Sequence, residues 1–182
     1  VNRSVEAAIW GGLSNAGQTC ISVERIYVQE KIYPQVVSKL SDKIKDISSG
    51  GGDTPLGAIS VAMSLKKIKI QIADARKNSD VVEGSADNGW FIPPTLVVNP
   101  PSEAKILQDE TFGPVMTVQP FQTDAEVVRL GNMSGYGLSA SIFGRNRKRM
   151  KAISRRIKAG TVSFNDVLTN YGIADLPFGG MG

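Results

Sequence analysis

The last third of the chain alternates between strand-like and helix-like segments, and this alternation constrains the fold most strongly. The segments, in order, are a strand at Val115–Phe121, a helix at Asp124–Leu130, a strand at Ser139–Phe143, a helix at Arg147–Lys158 and a strand at Thr161–Phe164. Neighbouring parallel strands need a crossover connection, which is usually a helix. The pattern therefore predicts an α/β fold in which a mostly parallel sheet is flanked by helices. A length of 182 residues is enough to bury the core of one domain.

The upstream part of the chain fits the same architecture. Apolar residues recur at helical spacing in three segments, and short apolar runs indicate three further strands. The predicted helices are Ser4–Trp10, Lys31–Ile47 and Ser64–Lys77, and the predicted strands are Arg25–Val28, Asp80–Val82 and Thr95–Val98. We find no internal repeat and no low-complexity linker, so the sequence predicts a single domain over residues 1–182.

The chain contains one cysteine, Cys20, and no histidine. The lack of histidine excludes Ser-His-Asp and Cys-His pairings within this chain and removes the commonest metal ligand. One thiol without an imidazole cannot form an ordinary zinc site, so no metal is expected. A lone cysteine also excludes an intramolecular disulfide and favours a reducing compartment, which we expect to be the cytoplasm.

The formal net charge is +4, and much of the excess lies in the predicted helix Arg147–Lys158. Met150, Ile153 and Ile157 recur among its cations at helical spacing, which predicts a surface helix with its charges in water. No aromatic residues interleave with the cations, so we expect no nucleic-acid partner. No apolar run approaches the roughly 20 residues that a membrane-spanning helix needs.

Two glycine-containing stretches invite comparison with phosphate-binding loops. Gly51 and Gly52 lie in a glycine-rich loop, but no Gly-Lys-Ser/Thr sequence ends it. Residues Gly135–Ala140 match the letters of a dinucleotide fingerprint, which must follow a strand and open a helix. Here the stretch follows a predicted helix and opens a strand, so we interpret it as a helix-to-strand turn.

The sequence allows two interpretations of Cys20. A free cysteine is most often a small buried hydrophobic residue. However, Gly17 permits an unusual backbone path just before the thiol, and Gln18 and Thr19 flank it with polar side chains. An accessible thiol on a turn, near N–H groups that can stabilise negative charge, is what a nucleophile requires.

Two further clusters stand downstream. Glu110–Pro114 precedes a predicted strand, and Glu110 could accept hydrogen bonds from the hydroxyls of a ligand or could belong to a structural turn. Leu176–Gly180 places the ring of Phe178 beside two glycines, which alone indicates little.

Taken in order, these clusters resemble the aldehyde dehydrogenase superfamily over essentially the whole chain. Asn15–Cys20 (NAGQTC) is similar to the active-site cysteine motif of that family. Glu110–Val115 (ETFGPV) is similar to its Glu-x-Phe-Gly-Pro motif, and Pro177–Gly180 (PFGG) to its Pro-Phe-Gly-Gly element. Supporting phrases are Gly89–Thr95 (GWFIPPT), Tyr136–Leu138 (YGL) and Ala159–Val162 (AGTV), the last leading to Asn165.

The resemblance implies a role for each matching residue. The thiolate of Cys20 would attack an aldehyde carbonyl to give a thiohemiacetal, and its backbone N–H would contribute to the oxyanion hole. Hydride would pass to NAD or NADP, and water would hydrolyse the thioester to the acid. Glu110 would bind the nicotinamide-side ribose, Phe112 would pack against that end of the cofactor, and Phe178 would line the aldehyde tunnel.

The resemblance also implies that residues 1–182 form the thiol-bearing catalytic domain, truncated at both ends. The general-base glutamate, the oxyanion asparagine and the cofactor-binding domain of the family would precede Val1. We therefore expect the isolated segment to turn over no aldehyde and the intact enzyme to be a homo-oligomer. The run from Asn165 to Phe178 is more similar to the fatty or aromatic aldehyde branch than to the betaine-type branch.

Two alternatives stay open from the sequence. The protein could be an acylating relative that passes the thioester to coenzyme A or phosphate, because that reaction shares the cysteine step. It could also be a non-catalytic protein that retains the fold.

Overall fold

The computed structural model describes residues 1–181 and confirms the α/β architecture. The helices are α1 (Asn2–Leu13), α2 (Tyr33–Lys45), α3 (Ala62–Ala75), α4 (Lys105–Gln108), α5 (Asp124–Gly131) and α6 (Arg147–Ser154). The strands are β1 (Arg25–Gln29), β2 (Ser48–Ser49), β3 (Asp80–Glu83), β4 (Ser85–Ala86), β5 (Thr95–Val98), β6 (Val115–Phe121), β7 (Ser139–Ile142) and β8 (Thr161–Phe164).

The main sheet has four strands in the order β1-β6-β5-β3. Its β1–β6 and β5–β6 pairs are parallel, and only the edge strand β3 runs antiparallel to its neighbour. β7 and β8 form a separate parallel pair, and β2 and β4 form another. The prediction of a mostly parallel sheet is therefore confirmed.

Side chains of the main sheet alternate between two apolar layers. Leu96 and Met116 point into the layer formed with α1 and α2, whereas Val97 and Val115 pack with α3 and α4 on the opposite face. All four side chains are almost completely buried. A sheet covered on both faces needs strands that are largely apolar, and the two polar residues in the buried part of β6, Thr117 and Gln119, are themselves buried and donate to backbone carbonyls.

Some element boundaries differ from the sequence prediction. α1 continues through Gly11 and Gly12 to Leu13, although glycine disfavours helix interiors. Both glycines are buried, and a Cβ on Gly12 would overlap the side chain of Met116. Close helix–sheet packing therefore outweighs the propensity. The short elements β2, β4 and α4 were not predicted, and α6 ends at Ser154 rather than at Lys158.

The helices are short and amphipathic. In α6, Met150 and Ile153 are buried, which confirms the predicted surface helix. Its Arg149 binds the carboxylate of Asp124 on α5, with a distance of 2.8 Å from Nε to Oδ1. Within the described part of the chain, no helix combines the length and apolarity that crossing a bilayer requires.

The sheet register brings the cysteine loop and the acidic loop together. β1 and β6 are paired in parallel, with Arg25 opposite Thr117. Cys20 lies a few residues before β1, and Glu110 lies a few residues before β6. Segments that enter neighbouring parallel strands meet at one edge of the sheet. The fold therefore places both loops at the amino-terminal ends of β1 and β6.

Candidate active site

Cys20 lies on a tight turn and is exposed to solvent. The turn is closed by the Ser22 N–H, which donates to the carbonyl of Thr19 over 2.9 Å. Cys20 is thus neither in the apolar interior nor in a regular element, and it is accessible from solvent. This placement matches the setting that we expected of a nucleophile, although its catalytic role stays a prediction.

The backbone just before the thiol is unusual. Asn15, Ala16 and Gly17 all have positive φ, at 54°, 53° and 70°. Gly17 packs directly on the backbone of Gly113, and a Cβ at this position would overlap the Gly113 carbonyl. Glycine is therefore required here both for its conformation and for the close approach. This contact joins the cysteine motif to the Glu-x-Phe-Gly-Pro motif.

Gln18 anchors the other side of the cysteine loop. Its Oε1 accepts a hydrogen bond from the Ser60 N–H at 2.8 Å, and its Nε2 donates to the Ala58 carbonyl at 3.1 Å. The side-chain amide therefore bridges two backbone groups about 40 positions along the chain. These bonds hold the turn that carries Cys20 against the segment that precedes α3.

Glu24 and Arg25 hold the loop that carries Glu110. Oε1 of Glu24 accepts hydrogen bonds from the N–H groups of Thr111, at 3.0 Å, and Phe112, at 2.9 Å. The Arg25 guanidinium donates to the backbone carbonyls of Leu107, at 3.2 Å, and Asp109, at 3.3 Å. Sequence reasoning missed both residues; the only signal was an adjacent acid and base beside the cysteine motif.

Burial raises the pKa of Glu24 above its usual value, and the negative charge of Glu110 adds to this effect. The hydrogen bonds from Phe112 and Thr111 and the positive charge of Arg25, whose guanidinium lies 3.6 Å away, act in the opposite direction. A raised pKa in the folded state means that the protonated form is favoured by folding. The protonated Glu24 side chain therefore contributes to stability at acidic pH, and this contribution is lost as the pH rises through its raised pKa.

Two substitutions of Glu24 should separate its hydrogen bonds from its charge. Glu24→Ala is expected to lower the free energy of unfolding by about 2–3 kcal/mol, because it removes the acceptor of two backbone N–H groups. Glu24→Gln keeps an acceptor oxygen and should cost less. Because the raised pKa disfavours the ionised form, the stability of Glu24→Gln relative to wild type should improve from pH 4 to pH 7. Urea unfolding across this pH range measures both effects, and a relative stability that falls with pH would contradict the assignment.

A cleft of about 1030 Å³ runs between β1 and β7. Of the four predicted site residues, Cys20 and Glu110 line this cleft, and Glu110 is half-buried there. Phe112 and Phe178 do not line it. Phe112 lies two positions beyond Glu110 with a positive φ of 54°, held by the hydrogen bond to Glu24.

Tyr171 links Phe178 to the cysteine. The Tyr171 hydroxyl lies 2.8 Å from Sγ of Cys20, and the rings of Tyr171 and Phe178 stack with their centroids 5.8 Å apart. The hydrogen bond to Cys20, together with burial and the charge of Cys20, raises the pKa of Tyr171 to about 12. Phe178 is therefore connected to the sulfur through the ring of Tyr171. No local sequence pattern indicated a role for Tyr171.

The residues around Glu110 fit the sugar of a nucleotide cofactor. The carboxylate is half-buried beside the thiol cleft, and the side-chain amide of Gln71 donates to the backbone carbonyl of Glu110 over 3.4 Å. The Oε1 atom of Gln71 is buried without a hydrogen-bond partner among the described residues. A carboxylate in this position can accept hydrogen bonds from two vicinal hydroxyls.

Comparisons with known proteins agree with this geometry. A family model, described as the aldehyde dehydrogenase family, matches residues 1–182. The chain is 33% identical to glutarate-semialdehyde dehydrogenase of Pseudomonas aeruginosa, over all of this chain and 38% of that protein. It is 35% identical to salicylaldehyde dehydrogenase of Pseudomonas putida, over 99% of this chain and 38% of the relative.

Solved structures give the same result. Betaine aldehyde dehydrogenase of Staphylococcus aureus, in complex with NAD+, superposes with a TM-score of 0.90 at 32% identity, over 98% of this chain and 37% of that one. An NADP-dependent enzyme of Escherichia coli superposes with a TM-score of 0.87 at 31% identity, over 99% of this chain and 38% of the other. The chain thus spans somewhat more than a third of the length of the proteins that it matches.

Proposed function

This chain belongs to the aldehyde dehydrogenase family, and on that premise we propose that the intact protein oxidises an aldehyde to a carboxylic acid with NAD or NADP, using Cys20 as the nucleophile. Residues 1–182 are the thiol-bearing catalytic domain in this proposal. The general base and the cofactor-binding domain would be supplied by other parts of the intact protein.

One observation carries the proposal: an exposed thiol and a half-buried carboxylate line the same cleft. Buried structural cysteines have no such access, and an accessible thiolate is the reactive form. The chain has no histidine, so no imidazole within residues 1–182 can act as the base. In the family that the chain resembles, a glutamate outside these residues would act as the base.

The residues of the chain act on the aldehyde in a defined order. The sulfur of Cys20 attacks the carbonyl carbon; a C–S bond forms and the carbonyl electron pair moves to oxygen, giving a thiohemiacetal. The backbone N–H of Cys20, at the corner of its turn, would stabilise the developing oxyanion. After loss of hydride the carbon is held on Cys20 as a thioester, and water then releases the acid and the free thiol.

The resemblance assigns the cofactor contacts to Glu110 and Phe112. Glu110 would accept hydrogen bonds from the ribose hydroxyls on the nicotinamide side, and Phe112 would pack beside them. When bound, NAD or NADP supplies the hydride acceptor. The hydrogen bonds from Thr111 and Phe112 to Glu24 would keep this loop in position before the cofactor arrives.

The aromatic pair beside Cys20 favours an apolar aldehyde. Tyr171 and Phe178 stack beside the sulfur, and Ile173 and Leu176 are exposed on the same segment. These side chains support the proposed preference for fatty or aromatic aldehydes. Phe178 would line the tunnel through which such an aldehyde enters. We also place the intact protein in the cytoplasm, where a free thiol stays reduced, as a homo-oligomer.

Product analysis tests the function. The intact protein is incubated with NAD or NADP and with a set of aliphatic, aromatic and carboxylate-bearing aldehydes, with and without coenzyme A, and the products are identified by mass spectrometry. The proposal predicts free carboxylic acid in equal amounts with reduced cofactor, with or without coenzyme A.

The other outcomes identify the alternatives. Acyl-coenzyme A that forms only when coenzyme A is added would show the acylating reaction. No cofactor reduction with any aldehyde, together with slow labelling of Cys20 by iodoacetamide near neutral pH, would show a non-catalytic protein that retains the fold. Either result would overturn the hydrolytic proposal.

A further inference from the structure

Tyr171 contacts the sulfur of Cys20 but has no role in the reaction proposed above. In many thiol enzymes an imidazole stabilises the thiolate, but this chain has no histidine. Instead, the Tyr171 hydroxyl lies 2.8 Å from the sulfur. With a pKa of about 12, Tyr171 keeps its proton at neutral pH. When the thiol is ionised, the tyrosine is therefore the donor and the sulfur is the acceptor.

The backbone that carries Tyr171 is fixed on both sides of a sharp turn. Asn165 has a φ of 56°; its side-chain oxygen accepts from the Gly144 N–H at 2.8 Å and its amide donates to the Gly144 carbonyl at 3.0 Å. Val167 is buried, and Leu168 has a φ of 58°. The N–H of Tyr171 then donates to the Leu168 carbonyl at 3.1 Å, which reverses the chain towards Cys20.

The ring of Tyr171 is also held from its far side. The ring of Phe178 stacks on it, with a centroid separation of 5.8 Å and an interplanar angle of 23°. An aromatic pair of this geometry restricts ring rotation and adds to the area of apolar contact. The hydroxyl is therefore oriented towards Sγ by the turn on one side and by the stack on the other.

We propose that Tyr171 is a further catalytic residue, whose hydroxyl donates a hydrogen bond to the sulfur of Cys20 and favours the thiolate in the resting enzyme. The proposal rests on the proposed function of Cys20 as nucleophile. The O–H bond of Tyr171 stays intact throughout, and the thiol proton leaves to solvent through the open cleft. As the C–S bond forms, negative charge moves from the sulfur to the carbonyl oxygen, so the hydrogen bond from Tyr171 acts mainly on the resting thiolate.

Alkylation of Cys20 tests this proposal without aldehyde or cofactor. The intact protein and its Tyr171→Phe variant are treated with iodoacetamide at pH values from 6 to 10, and labelling of the Cys20 peptide is followed by mass spectrometry. Because a hydrogen bond to a charged acceptor stabilises that acceptor, labelling at pH 7 should be about tenfold slower in the variant. At pH 10, Tyr171→Phe should be labelled at least as fast as the wild type, because its thiolate lacks the hydrogen bond from the tyrosine.

Tyr136→Phe is the matched control, because this tyrosine is similarly exposed but its ring packs on Arg25. Its labelling profile should follow that of the wild type. Equal profiles for Tyr171→Phe and wild type would overturn the proposal. A parallel loss of labelling at all pH values would also overturn it, since this is the result of a purely structural role.

A second measurement follows the ionisation of Tyr171 instead of the reactivity of Cys20. In Cys20→Ala the pKa of Tyr171 should fall from about 12 towards the ordinary value of 10, because its acceptor is gone. At pH 11 this variant should then carry about one more tyrosinate than wild type, measured by absorbance at 295 nm. No difference in tyrosinate would overturn the proposal. Neither readout depends on turnover, so failure of the aldehyde dehydrogenase assignment would be recognised separately.

Discussion

Replacement of Cys20 by alanine in the intact protein is expected to lower kcat/KM for aldehyde oxidation by about 10³-fold or more. Removal of a covalent nucleophile leaves only the contribution of binding and of the oxyanion donors to the rate. Cys20 is the only cysteine in these 182 residues, so no neighbouring thiol of the chain can replace it. The measurement is steady-state reduction of NAD or NADP, followed by absorbance with the aldehyde that gives the highest rate.

Met63→Ala provides a matched control for this experiment. Met63 is also an exposed sulfur-containing residue, with 81% of its surface accessible, and it does not line the cleft. Its variant should keep the wild-type rate within about twofold, because exposed surface changes rarely alter the structure. If Cys20→Ala kept a substantial part of the wild-type rate while folding normally, another residue would have to be the nucleophile.

The second large effect is expected at Glu110. Glu110→Ala in the intact protein should lower the rate of hydride transfer by about 10- to 100-fold, since charge-assisted hydrogen bonds contribute about 1.5–3 kcal/mol each. The loss should be greater for hydride transfer than for alkylation of Cys20, because Glu110 is assigned to the cofactor and not to the sulfur. Single-turnover reduction of NAD or NADP measures the first quantity, and iodoacetamide labelling measures the second.

Glu103→Gln is the control for the loss of one carboxylate. Glu103 is exposed on the same connection between β5 and β6, and it does not line the cleft. The control should leave hydride transfer unchanged. An equal loss in the Glu103 and Glu110 variants, or an unchanged rate in Glu110→Ala, would contradict the assignment of Glu110 to the cofactor.

Elements whose periodicity is strong could be predicted from the sequence, because local pattern and tertiary packing agree there. β6 was predicted with its observed bounds, and the predicted helix Asp124–Leu130 is one residue shorter than α5. The two-residue strands β2 and β4 carry no periodic signal and pair only through tertiary contacts. α1 was ended too early because helix propensity does not register the packing of Gly12 on Met116.

The candidate site could be predicted only where a motif carried it. Cys20 and Glu110 lie in recognisable phrases, and the parallel pairing of β1 with β6 accounts for their proximity. Glu24 and Tyr171 were missed because their importance depends on partners distant in sequence. Glu24 holds backbone groups 87 and 88 positions away, and Tyr171 contacts a sulfur 151 positions away. No local pattern encodes such contacts in a single sequence.

The central claim is that the substrate becomes covalently bound to Cys20. The most direct measurement is rapid acid quenching of the intact protein during turnover with an aldehyde and NAD or NADP, followed by mass spectrometry of the Cys20 peptide. Our account predicts an added mass equal to that of the aldehyde less two hydrogens, carried as a thioester that hydroxylamine removes. Efficient formation of acid with the Cys20 peptide unmodified at every quench time, and an adduct on some other residue, would contradict it.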